Sequence, residues 1–299
     1  MGTSAPLPPY LTESVATRDG QRLAVATFCA DGAPCLLFAH GFGQTRGAWH
    51  GAAAALAAQG YRCVSFDARG HGESGRAPDG RYHMQPFVDD LLVLARLHPE
   101  PPVLVGASMG GLLGLVAAGE NRPSPFRALV LVDITPRWET KGVERILAFM
   151  QAHPEGFADY AEAAGQIAAY LPHRPGRKSE EQLRPLLRAG SDGRLRWHWD
   201  PALLAGDLIA EGERYQPRLF AAAAQVEVPV LLLSGERSDV VSQSTVGEFL
   251  QLVPHARHVE VAGATHMLAG DANDAFTREI AHFVQSLDDA SASQGARIA

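Results

Sequence analysis

The chain has 299 residues, 46% hydrophobic and 20% charged, with a formal net charge of −7 from 33 acidic and 26 basic side chains. That profile fits a globular protein long enough for one large α/β domain or a domain with an insertion. It lacks the basic stripe that a nucleic acid or an anionic membrane surface demands, so neither is expected as a partner.

No run approaches the ~18 apolar residues of a membrane span. Met1 to Tyr10 holds three prolines and no apolar stretch flanked by positive charge, so no secretory signal and a cytoplasmic location are expected. The three cysteines, Cys29, Cys35 and Cys63, show no metal or redox spacing and are expected to be buried free thiols.

Residues 1–11 form a proline-bearing lead-in. Glu13 to Thr17 and Gln21 to Phe28 are predicted strands joined at Asp19-Gly20, hence an edge hairpin. Pro34 to His40 is a third apolar strand, ending at His40-Gly41-Phe42-Gly43. An alanine-rich helix over 46–59 stops at Gly60, and Tyr61 to Asp67 is the next strand. A glycine-rich loop, Asp67 to Ser74, precedes a helix over 84–97. The apolar run Pro101 to Ala107 leads into Ser108 and a further helix, followed by a strand over 128–133.

From Pro136 to about Gln225 the pattern changes to helices and loops, with no strand predicted. Strands resume at 228–234 and 258–261, with helices near 242–252 and 272–287, and residues 288–299 are expected to be flexible. Several uniformly apolar strands alternating with helices imply a mostly parallel sheet of eight strands, covered on both faces. The expected division is a core of residues 12–135 and 226–287, with a helical cap at 136–225. Such a cap would lie over the carboxyl ends of the strands, where open α/β sheets bind ligands.

Gly106-Ala107-Ser108-Met109-Gly110 sits between a buried strand and a helix. Glycines there permit a very sharp turn that projects the hydroxyl of Ser108 from the sheet edge. The same turn puts the Met109 N–H at a helix N-terminus, where donors are unsatisfied and favour negative charge. A serine nucleophile needs a base, and the base needs an acid that fixes its tautomer.

Of twelve histidines, His266 lies on a small-residue loop after the last strand and is the expected base. His71 is its rival, and His40 suits a loop-bonding role. Asp239, after the penultimate strand, is the expected acid. Glu236 is the near alternative and Asp133, after the strand beyond the elbow, the far one.

Ser108, Asp239 and His266 in that order, with the elbow motif, resemble the α/β-hydrolase fold family over residues 12–287. The His40-Gly41-Phe42-Gly43 loop and the Asp67 to Ser74 loop match as well. The resemblance implies that the Phe42 N–H supplies the second oxyanion donor beside Met109. It also implies an acyl-enzyme hydrolase without cofactor or metal, acting on a small ester-like molecule. Lactones and carbon–carbon bonds beside a ketone are further substrates that the family implies.

Serine at position 108 departs from the aspartate of dehalogenase and epoxide-hydrolase members, and Phe42-Gly43 departs from the His-Gly-Gly-Gly loop of many lipases. Trp138, Phe149, Trp199 and Met267 are expected to line an apolar pocket.

Two other classes compete. Gly41-Phe42-Gly43 with Asp67 downstream approaches a dinucleotide fingerprint, but Arg46 occupies the third glycine position. A ligand receptor that kept the pocket and lost turnover would carry the same residues.

Overall fold

The computed structural model describes residues 9–29, 34–172, 176–266 and 273–298. Among these residues there are ten strands: β1 (Leu11–Ala16), β2 (Arg22–Phe28), β3 (Cys35–Ala39), β4 (Arg62–Phe66), β5 (Val103–Ala107), β6 (Ala128–Val132), β7 (Leu187–Ala189), β8 (Leu195–Trp197), β9 (Val230–Gly235) and β10 (Arg257–Val261). Eight of them form one sheet in the order β1-β2-β4-β3-β5-β6-β9-β10. β1 and β2 pair antiparallel at one edge, and β2 joins β4 antiparallel. From β4 across to β10 every pairing is parallel.

The parallel strands are apolar throughout because both of their faces are covered. Successive side chains point to opposite faces, and the buried clusters divide accordingly. In β6, Ala128, Val130 and Val132 join one cluster while Leu129 and Leu131 join the other. The first cluster is closed by α1 (His50–Ala57) and by α9 (Asn273–Ile298), through Leu56, Phe276 and Ile280. The opposite face is closed by α2 (Met84–Ala95), α3 (Met109–Glu120), α7 (Leu208–Ala223) and α8 (Gln243–Leu252).

Between β6 and β9 lie α4 (Thr140–Gln151), α5 (Tyr160–Tyr170), the short α6 (Glu180–Leu183) and α7. This insertion has a small core of its own, with Phe157, Ala163, Ile167, Leu183, Leu187 and Leu195 buried together. It differs from the sequence expectation in two respects. First, β7 and β8 form an antiparallel hairpin, too short to be read from periodicity. Second, α7 closes the main core rather than the insertion's own. A Cβ at Gly119 of α3 would lie 2.1 Å from the Ala222 carbonyl oxygen, so the two helices touch backbone to backbone.

Two smaller expectations also change. α9 continues to Ile298 instead of ending near 287. Cys29 is exposed, while Cys35 and Cys63 are buried free thiols, and burial raises the Cys35 thiol to about 12. Among the described residues no helix is long and apolar enough to cross a membrane.

Candidate active site

Ser108 occupies the junction between β5 and α3 with φ 46° and ψ −116°, a conformation that L-residues avoid. The tightness of the turn explains the glycines. A Cβ on Gly106 would come within 2.6 Å of the Gly110 backbone, and one on Gly110 within 2.5 Å of the Ala39 carbonyl oxygen. The Ser108 N–H donates to Val132 O at 3.0 Å, which ties the elbow to β6. Ala107 and Val132 are register partners on adjacent parallel strands. Ser108 and Asp133, each one residue further on, therefore leave the sheet side by side.

Asp133 is 1% exposed and also has a positive φ, 52°. Its carboxylate accepts from Gly235 N (2.8 Å), from Ser238 Oγ (2.6 Å) and from His266 Nδ1 (2.7 Å). A carboxylate accepts only, so Nδ1 carries the proton and the His266 Nε2 lone pair is available as a base.

This geometry corrects the expected acid. The carboxylate on the imidazole belongs to Asp133, the far alternative, not to Asp239. Asp239 is partly exposed and pairs with Arg145 Nη2 of α4 at 2.7 Å. Glu236 accepts from Gly263 N at 2.6 Å and braces the loop that carries His266. The reason lies in the sheet: Asp133 follows β6 directly, beside Ser108, whereas Asp239 lies four residues beyond β9.

The loop after β3 stands against the elbow; a Cβ on Gly41 would lie 3.3 Å from Ser108 Cβ. Its conformation is fixed by histidines. The peptide unit that contains the Phe42 N–H has the Gly41 carbonyl at its other end. That carbonyl accepts from His40 Nδ1 at 2.8 Å and from Gln44 N at 3.1 Å. In a trans peptide the C=O and N–H point oppositely, so pinning the oxygen aims the Phe42 N–H.

The next residue is clamped from both sides. Gly43 N donates to His71 Nε2 at 3.1 Å, and its carbonyl accepts from His198 Nε2 at 3.2 Å. The remaining nitrogens are used as well. Ala68 N donates to His40 Nε2, His71 Nδ1 donates to Arg69 O, and Gly72 N donates to His198 Nδ1.

All three rings are buried, with centroids 5.0 Å (His40–His71) and 6.2 Å (His71–His198) apart. Burial pushes each away from the charged form. His71 falls well below its ordinary value, helped by repulsion from His40 and His198, and His198 is lowered to about 3. The rival base His71 is thus a neutral structural ring. His198, from the insertion, is a residue that sequence reasoning missed; in the motif Trp197-His198-Trp199 only the tryptophans drew notice.

The amide N–H groups of Phe42 and Met109 have no hydrogen-bond partner among the described residues. Met109 begins α3, so its N–H adds the positive end of a helix dipole. Asp67, the acid in the dinucleotide reading, is fully buried and takes Arg46 N (2.7 Å), the Arg46 guanidinium and Glu73 N (2.9 Å). Among the described residues no group of His, Cys, Asp and Glu could hold a metal ion.

A cavity of about 690 Å³ opens from the loop at Phe42 and Gly43 beneath the insertion. Phe149 and Trp199 line it, with Tyr170 and Trp197. Phe149 stacks on Tyr170 and Trp197 on Trp199, with centroids 4.0 and 4.7 Å apart. Trp138 is not in that lining and lies instead beside Gly212 of α7. Met267 lies outside the described residues.

Comparison with known proteins agrees with this architecture. Residues 34–272 match the family model described as alpha/beta hydrolase fold. The chain is 35% identical over 247 residues to the 3-hydroxybutyrate-oligomer hydrolase of Cupriavidus necator, covering 77% of this chain and 82% of that one. It is 26% identical over 258 residues to the 2-(acetamidomethylene)succinate hydrolase of Mesorhizobium japonicum, covering 85% and 88%. The crystal structure of an E-2-(acetamidomethylene)succinate hydrolase superposes with a TM-score of 0.79 at 25% identity, covering 93% of this chain and all of the other. The chain belongs to the α/β-hydrolase fold family and is an enzyme of that family.

Proposed function

We propose that the protein is a serine esterase that works through an acyl-enzyme, with Ser108, His266 and Asp133 as its triad. The observation that carries this reading is the 2.7 Å bond from His266 Nδ1 to Asp133, a carboxylate that leaves the sheet beside a strained serine. His266 Nε2 takes the proton of Ser108, and Oγ attacks the ester carbonyl. The tetrahedral oxyanion is held by the N–H groups of Phe42 and Met109. His266 then protonates the departing alcohol, removes a proton from water, and the resulting attack releases the acid and restores Ser108. A preorganised oxyanion donor is typically worth about 3 kcal/mol of barrier, which gives the histidine-pinned loop its purpose.

The part of the insertion that precedes α7 acts as a cap, and the aromatic cavity beneath it, whose lining includes Phe42 but not Ser108, holds the portion of the substrate that lies away from the reacting ester. The oligomer hydrolase of C. necator supports a short-chain carboxylic ester as substrate. Rapid-quench assays with para-nitrophenyl butyrate test the mechanism. The expected result is a stoichiometric burst of nitrophenol and a butyryl mass increase on the Ser108 peptide. Turnover without any acyl adduct, under conditions where deacylation is slowed, would oppose it.

A further inference from the structure

The charged side chains of the cavity are not equivalent. Asp67 and Glu73, the two carboxylates in its lining, are both engaged by Arg46. Arg184 is paired with Glu180 at 2.5 Å, and Lys178, also in the lining, has an interaction of its own. Arg188, on the β7 strand of the insertion, differs from both. Its guanidinium donates to the Gly72 carbonyl, and among the described residues no ion pair is formed by it. Glu73 senses Arg188 only at longer range, since its own hydrogen bond goes to Arg46.

The position of Arg188 is also fixed more firmly than its exposure suggests. Gly72, whose carbonyl it grips, donates its N–H to His198, and His198 in turn donates to Gly43 beside the oxyanion loop. Two residues later Asp200 N donates to Gly70 O at 2.7 Å, and the Asp200 carboxylate accepts from Tyr82 at 2.7 Å. The insertion is therefore stapled to the 70–72 loop along this side, with Arg188 in the staple. A guanidinium anchored through one donor keeps its others in a rigid fork, the geometry that matches a carboxylate.

We propose that Arg188 is a specificity residue that receives a free carboxylate on the substrate, so that the preferred esters are carboxylate-terminated ones such as hydroxy-acid oligoesters or dicarboxylate half-esters. The proposal rests on the esterase reading above. Such a ligand would lay its apolar chain along Phe149 and Trp197 while its anionic end meets the cationic rim.

A matched pair of substrates tests it: the para-nitrophenyl half-ester of adipic acid and the same compound with its free carboxylate capped as a methyl ester. Wild-type enzyme is expected to show the higher kcat/KM for the anion. Arg188→Gln should lower that value about tenfold, chiefly through KM, and lower that of the capped ester by a clearly smaller factor. Arg188→Lys, which keeps the charge and loses the fork, should recover part of the preference.

Equal use of both esters by wild-type enzyme, or an equal loss on both in Arg188→Gln, would overturn the assignment. Should neither ester turn over, the esterase reading fails and calorimetry still decides this one. Monomethyl adipate should then bind wild-type protein more tightly than dimethyl adipate, with the difference lost in Arg188→Gln; equal binding would overturn the proposal.

Discussion

The carboxyl edge of the sheet and the insertion above it handle charge in opposite ways. At the sheet edge His40, Asp67, His71 and Asp133 are at most 1% exposed, and each is held by two or more hydrogen bonds. In the insertion Arg145, Arg184 and Arg196 are well exposed and pair with carboxylates that are themselves partly exposed. Polar groups buried without partners are costly, so the edge tolerates only a complete network. Exposed pairs are worth little and can be exchanged cheaply. On the proposed mechanism the difference separates two tasks: the edge holds the reacting groups rigid, and the insertion can vary what they meet.

The largest effect that breaks this comparison is expected at Ser108. Ser108→Ala should reduce kcat by about four orders of magnitude or more while circular dichroism and Tm stay near wild type. Next come two aspartates of the same chemistry in the two regions. Asp133→Asn leaves the imidazole in the wrong tautomer and should cost about 10⁴-fold in kcat. Asp239→Asn removes only a partly exposed pair with Arg145 and should change kcat/KM less than about threefold. Steady-state kinetics on both variants would reverse the assignment if Asp239→Asn proved the more damaging.

A third prediction concerns the seam between the regions. His198→Ala leaves the Gly43 carbonyl and the Gly72 amide without their partner and should lower stability by about 2–4 kcal/mol in urea unfolding.

The smallest effect is a pH slope. The folded state holds His198 at about 3, below its unfolded value near 6.5, so the unfolded chain binds protons first. Its contribution to stability is complete above about pH 6.5 and is lost as pH falls toward 3. Wild-type stability should thus decline on acidification, and His198→Ala should flatten that decline by up to about 1.4 kcal/mol per pH unit. An unchanged slope would place the acid sensitivity in other groups.

Much of this frame is legible in the sequence, because short apolar runs rich in β-branched residues, such as Val103 to Val105 and Leu129 to Val132, alternate with helical patterns and so read as strands covered on both sides. The elbow is legible for a related reason: Gly106 and Gly110 mark a backbone contact that no other residue allows. The acid was harder. Asp133 and Asp239 both follow strands, and only register, with Ala107 opposite Val132, puts Asp133 next to Ser108.

His198 was not legible at all. It lies 155 residues from Gly43, and nothing local distinguishes a histidine that clamps a distant loop from one on the surface. The β7–β8 hairpin, three residues per strand, is likewise below the length at which alternation can be read.

Fluorophosphonate labelling followed by peptide mapping tests the serine-centred chemistry most directly. A single adduct on Ser108, abolished in Ser108→Ala and strongly slowed in Asp133→Asn, is the predicted result. Labelling of another residue, or a folded protein that resists the reagent entirely, would contradict it.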